Sequence, residues 1–207
     1  MKKLLLLLAA LLVLTACFGK KAAKPGAPDP KFALLSAKNK YAAEFLAEKP
    51  GDTAPEDLLF VRVKPGTITV GSLRCVNDDN YFILTQPVSK KQLAALAGAE
   101  DGEGPAFSVP FAKIEEARKK LDDKNKEAQI LLPTTKEWDF AFLSGKIEEN
   151  AQPFCWEWAV MEGDKCTWRG RTWHIMEMEE ADDEAKDKSL AQENLGFRFV
   201  LKDQRTK

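Results

Sequence analysis

Leu4 to Leu14 is an unbroken apolar run behind Lys2 and Lys3. As a helix its roughly eleven residues span about 16 Å, well short of a ~30 Å hydrocarbon core. The pattern predicts a signal peptide over residues 1–16 rather than a membrane span. Three prolines and two glycines follow in residues 17–31, which predicts a flexible tether. From Phe32 to Lys49, Leu34, Leu35, Tyr41, Phe45 and Leu46 recur at mostly helical spacing. That spacing predicts an amphipathic helix over 32–50, closed by Pro50-Gly51.

At Leu58 the period drops to two. Leu58 to Val63 reads as a strand, and Lys64-Pro65-Gly66-Thr67 as a type II turn. Ile68 to Gly71 then reads as the returning strand. Tyr81 to Leu84 is a further strand, and Ser89 caps a short helix carrying Leu93, Leu96 and Ala97. A polar loop over 98–105 leads to a helix from Phe111 to Leu121, with Ile114 and Ala117 on its apolar stripe. Ile130 to Leu132 reads as a short buried strand or an approach to the next helix. Thr134 and Glu137 form a capping box that opens a helix carrying Trp138, Ala141 and Phe142, stopped at Gly145. Phe154 to Val160 and Cys166 to Trp173 are aromatic strands around a hairpin loop. A charged stretch over 176–193 precedes a closing strand from Leu195 to Leu201. Helices scattered between irregular strands predict an α+β fold, with the main domain over 58–202.

Composition changes this picture in two places. The chain has 31 basic and 32 acidic residues and one histidine, His174. No global charge argues for nucleic acid, and one histidine makes a multi-histidine zinc site improbable. The charge is uneven, however. Residues 17–50 hold seven lysines against three acids, which places a basic tether beside whatever the N-terminus touches. Leu14-Thr15-Ala16-Cys17 resembles the lipobox of bacterial lipoproteins, in which the cysteine is lipidated and becomes the first mature residue. The resemblance implies a membrane anchor through lipid on Cys17 and a place in the cell envelope. Phe18 in place of aspartate favours the outer over the inner membrane. Cys75, Cys155 and Cys166 remain, an odd number that permits at most one intramolecular disulfide.

Fragments over residues 58–202 resemble the formylglycine-generating enzyme family, also called the sulfatase-modifying factor domain. Phe60 to Ser72 is similar to its opening hairpin, and Gln86 to Leu93 to its "PVT" segment. Leu132-Pro133-Thr134-Thr135-Lys136-Glu137-Trp138 resembles "LPTeaEW", and Trp156-Glu157-Trp158 resembles "WEW". Arg169-Gly170-Arg171-Thr172-Trp173 and Gly196-Phe197-Arg198 resemble "RGGSW" and "GFR". The resemblance implies a compact, loop-rich C-type-lectin-like fold. The family's catalysts carry reactive cysteines after the RGGSW element, whereas residues 174–193 hold neither cysteine nor arginine. Its asparagine-bearing calcium segment before WEW is replaced by Glu149 to Phe154, and Glu157 alone cannot supply the six to eight oxygens calcium takes. A non-catalytic relative without cofactor or metal follows, acting as a binding or scaffold module. The alternative is a cysteine-dependent oxidase using Cys75, Cys155 or Cys166.

Trp168, Arg169, Arg171, Trp173 and His174 form the candidate ligand surface. Tryptophan and arginine are the residue types of binding hot spots and of platforms for protein or glycan ligands. On a regular strand Arg169, Arg171 and Trp173 share one face, and Trp168 lies on the other. The competing reading turns the tryptophans into the core and pairs the arginines with acids. The acidic run from Glu177 to Asp187 lacks calcium-loop spacing and reads as a solvated segment.

Overall fold

A computed structural model describes residues 29–147, 155–170 and 184–205. The signal peptide, Cys17, Arg171, Trp173, His174 and most of the acidic run lie outside them. Eleven strands and three α-helices make a mixed α+β domain among the described residues. The main sheet comprises β1 (Phe32–Leu35), β2 (Ala43–Leu46), β3 (Leu58–Val63), β6 (Tyr81–Leu84), β7 (Ala128–Leu131) and β11 (Val200–Asp203). Its order is β2-β1-β3-β6-β11-β7, every pairing antiparallel.

Both faces of this sheet are covered, so its central strands are apolar on both sides. Ala33, Leu35, Leu58, Phe60, Phe82, Leu84, Ile130 and Leu201 point into one cluster. Packed on them are α1 (Lys90–Ala97) and α2 (Phe111–Lys124), through Leu93, Leu96, Ile114, Ala117 and Leu121. Val63, Tyr81, Ile83 and Val200 point the other way, against α3 (Thr135–Leu143). All four residues of β6 are therefore buried. A three-stranded sheet, β10-β8-β9, sets β8 (Trp156–Val160) antiparallel to β9 (Cys166–Arg169) and parallel to β10 (Leu195–Gly196). A two-stranded ribbon pairs β4 (Gly66–Val70) with β5 (Leu73–Asn77).

Local signals hold where they are strong. Thr134 Oγ1 accepts from the Glu137 amide at 3.2 Å, and Glu137 Oε2 accepts from the Thr134 amide at 2.8 Å. Ser89 and Gln92 make the same reciprocal cap on α1. The helices expected at 89–97, 111–121 and 135–144 are all present.

Three expectations are corrected. Residues 32–50 form no amphipathic helix: they are β1, a short 3₁₀ turn at Ala37–Asn39, and β2. Lys40 and Tyr41 take left-handed φ values of 53° and 62° and turn the chain back on itself. β1 also pairs with β3, so this segment belongs to the main sheet and not to a separate unit. The helical spacing was produced by two short strands that follow one another in the chain and pair antiparallel across a turn. Secondly, β3 and β4 form no hairpin. Both edges of β3 are taken, by β1 and β6, and β4 turns instead to β5. Thirdly, the closing strand is broken at Phe197–Phe199, between β10 and β11. The break lets Arg198 enter the core.

Candidate functional site

The motif residues converge on one buried node. α3 supplies Trp138, β8 supplies Glu157, and the break between β10 and β11 supplies Arg198. Arg198 donates to Glu157 through Nε and, at 2.5 Å, from Nη2 to Oε1. Trp138 Nε1 donates to Glu157 Oε2 at 3.0 Å, and Arg198 Nη1 donates to the Leu84 carbonyl at 2.9 Å. Arg198 and Glu157 are 1% and 3% exposed at their side chains. A carboxylate and a guanidinium are tolerated at that depth only when paired and further hydrogen-bonded, and both conditions are met. Both oxygens of Glu157 accept hydrogen bonds, so it serves as the structural acceptor of this node. Trp138 is itself 5% exposed and stacks on Phe142 at 5.3 Å.

Beside the node lies a second set of contacts, made by Glu137, the neighbour of Trp138 on α3. Glu137 Oε1 is 2.7 Å from Lys202 Nζ, and its backbone carbonyl accepts from Tyr81 Oη at 2.6 Å. Burial opposes the charge on Lys202, but the hydrogen bond and charge of Glu137 outweigh it and hold the ammonium above its ordinary range. Burial pushes the Tyr81 phenol far up, with Glu137 adding to it.

Of the five residues expected to line a ligand surface, Trp168 and Arg169 are described. They do point to opposite sides. Trp168 packs on the core, 6.1 Å from the fully buried Trp158, with Lys186 Nζ 5.5 Å above its ring. Arg169 Nε donates to Asp139 Oδ1 at 3.0 Å and Oδ2 at 3.3 Å, with the carboxylate at the middle of α3. Internal pairing of this arginine therefore holds, as does the inward turn of the tryptophan. Gly170 ends the strand because its backbone passes against Cys155: a Cβ there would sit 2.3 Å from the Cys155 carbonyl oxygen.

No disulfide joins Cys75, Cys155 and Cys166. Cys166 faces Val160 across β8–β9, five positions along from Cys155. At strand rise that is roughly 16 Å, far beyond disulfide reach. Cys75 is half-buried on β5. Burial pushes its thiol pKa up and the Asp139 charge adds to the effect, which is opposite to what a nucleophilic thiolate needs. Among the described residues no group of three or more His, Cys, Asp or Glu side chains could hold a metal ion, and no helix is long and apolar enough to cross a membrane.

Sequence reasoning missed the partners Asp139, Lys202 and Leu84, because each pairing joins segments far apart in the chain. The one signal was the arginine of the Gly196-Phe197-Arg198 fragment, a charged residue among apolar neighbours. The fold and this node define a two-face-covered α+β domain organised around one buried guanidinium–carboxylate pair. A scan of protein-family models and searches of curated proteins and solved structures find no match to this chain.

Proposed function

We propose that the chain is a membrane-anchored envelope lipoprotein. In this reading its domain is a non-catalytic relative of the sulfatase-modifying factor domain, of C-type-lectin-like fold, and works as a binding or scaffold module. The observation carrying this reading is the fate of the motif residues: Trp138, Glu157 and Arg198, from three of the resembling fragments, are joined in one buried hydrogen-bond node. The half-buried Cys75, with its raised pKa, and the separation of Cys155 from Cys166 support a domain without thiolate chemistry. The anchor rests on the Leu14 to Cys17 sequence. Several acyl chains on one cysteine hold a protein firmly, at about 0.8 kcal/mol per buried methylene. Metabolic labelling with a fatty acid tests it: label enters the wild-type chain, and Cys17→Ser loses the label and leaves the membrane fraction. A serine variant that sediments with membranes as fully as wild type would end the lipoprotein reading.

A further inference from the structure

Every sheet edge among the described residues has a hydrogen-bonded cover except the two of the β4–β5 ribbon, and of these β5 carries the charge of Arg74. On β2 the Ala43 amide donates to Asn125 Oδ1 at 2.7 Å. On β7 the Ile130 amide donates to Asp122 and its carbonyl accepts from Arg118. On β9 the Cys166 carbonyl accepts from the Lys186 amide at 2.7 Å, and on β10 the Leu195 carbonyl accepts from the Ser108 amide. The β4–β5 ribbon differs. Its inner strand β5 lies against α3, with Cys75 packed on the second core cluster. Its outer strand β4 pairs with β5 on one side, and no other hydrogen bond reaches residues 66–70. Four of the five β4 residues are exposed.

Composition singles out the same strand. Residues 66–77 carry one charge, Arg74, in a chain that is 30% charged. β4 itself, Gly-Thr-Ile-Thr-Val, has no charge and no proline, and it contains no bulge in its pairing with β5. Charges, prolines and bulges are the devices that keep a strand edge from pairing with another. Two of the three exposed large hydrophobic residues among those described, Val70 and Val76, sit on this ribbon.

We infer that β4 is a self-association edge, and that its occupant is β4 of a second copy of this chain, antiparallel about a twofold axis at Ile68. An uncharged strand offers nothing for a charged partner to recognise, yet it meets its own copy without repulsion. A twofold contact needs only that self-complementarity. In this register Thr67 faces Thr69 of the partner and Gly66 faces Val70 of the partner, giving a continuous β5-β4-β4-β5 sheet. The contact is small, so the expected dissociation constant is on the order of 10–100 µM.

The register makes the inference testable independently of the lipid anchor. Full-length protein in mild detergent, in a Cys75→Ser background, is prepared as Thr67→Cys and as Thr69→Cys. Oxidation should give a crosslinked dimer in the mixture of the two and not in either alone. Sedimentation of the otherwise unaltered chain should show a concentration-dependent dimer, which Thr69→Lys weakens about tenfold or more with an unchanged melting curve. A chain that stays monomeric throughout overturns the inference. So does a dimer that is indifferent to Thr69→Lys and crosslinks no better in the mixture.

Discussion

Arg198 with Glu157 and Arg169 with Asp139 are the same chemistry in two settings. Both arginines approach carboxylates near α3, and both belong to fragments with motif character. The first pair is sealed, at 1% and 3% exposure, and each member has further hydrogen bonds to Trp138 and Leu84. The second stands at the domain's margin, at 16% and 9%. Burial raises both the attraction within a pair and the penalty for breaking it, because the surviving charge has no water to turn to. Asp139 is also buried, but part of the Arg169 side chain reaches solvent, so its removal admits water to the surviving carboxylate and costs less. Residue type alone would rank the two arginines equally as ligand contacts; depth assigns the inner one to the framework.

Removing the inner cation gives the largest effect. Arg198→Met should cost about 3–5 kcal/mol, because Glu157 is stranded in the core. Urea unfolding followed by tryptophan fluorescence measures it. Adding Glu157→Leu to that variant should recover a good part of the loss, since the orphaned charge goes with it. Arg169→Met should cost less, about 1–3 kcal/mol, on the same assay. Equal losses for the two methionine variants would break the contrast between inside and margin.

The smallest effect is a pH dependence on the Glu137–Lys202 contact. The folded-state pKa of Lys202 lies above its ordinary 10.5. The protonated form is thus favoured by folding, and the contribution is complete below the unfolded value. It is lost as pH climbs through the higher folded value. The gap in urea midpoint between the unaltered chain and Lys202→Met should therefore be flat through neutral pH and close above about pH 10.5. A gap that closes on acidification from neutral pH would assign the stabilisation to another group.

Legibility followed range along the chain. The capping boxes at Ser89 and Thr134 were readable because donor and acceptor lie three residues apart. β6 was readable as a continuous apolar run, and the stripe of α2 because burial of one face imposes a period of 3.6. The segment 32–50 was not, since two four-residue strands joined by a turn carry too few positions to separate a period of two from one of 3.6. Sequence placed β4 with β3 from a good Pro-Gly turn signal, yet tertiary packing had already filled both edges of β3. In the candidate site, the alternation of Trp168 and Arg169 was foreseen, whereas the identity of the carboxylate awaiting Arg169 was not.

What the chain determined by itself is local: where the capped helices begin, that the fold mixes helices and strands, and which residues carry motif character. Each of these depends on interactions among residues a few positions apart, whose geometry the backbone fixes. The tertiary structure alone decided that Arg198 meets Glu157 across 41 residues and that Asn125 ties down β2 from 82 residues away. It likewise left the β4–β5 ribbon as the one place among the described residues where strand edges have no hydrogen-bonded cover. Such choices turn on which distant surfaces exclude water together, and no spacing within a single segment encodes them.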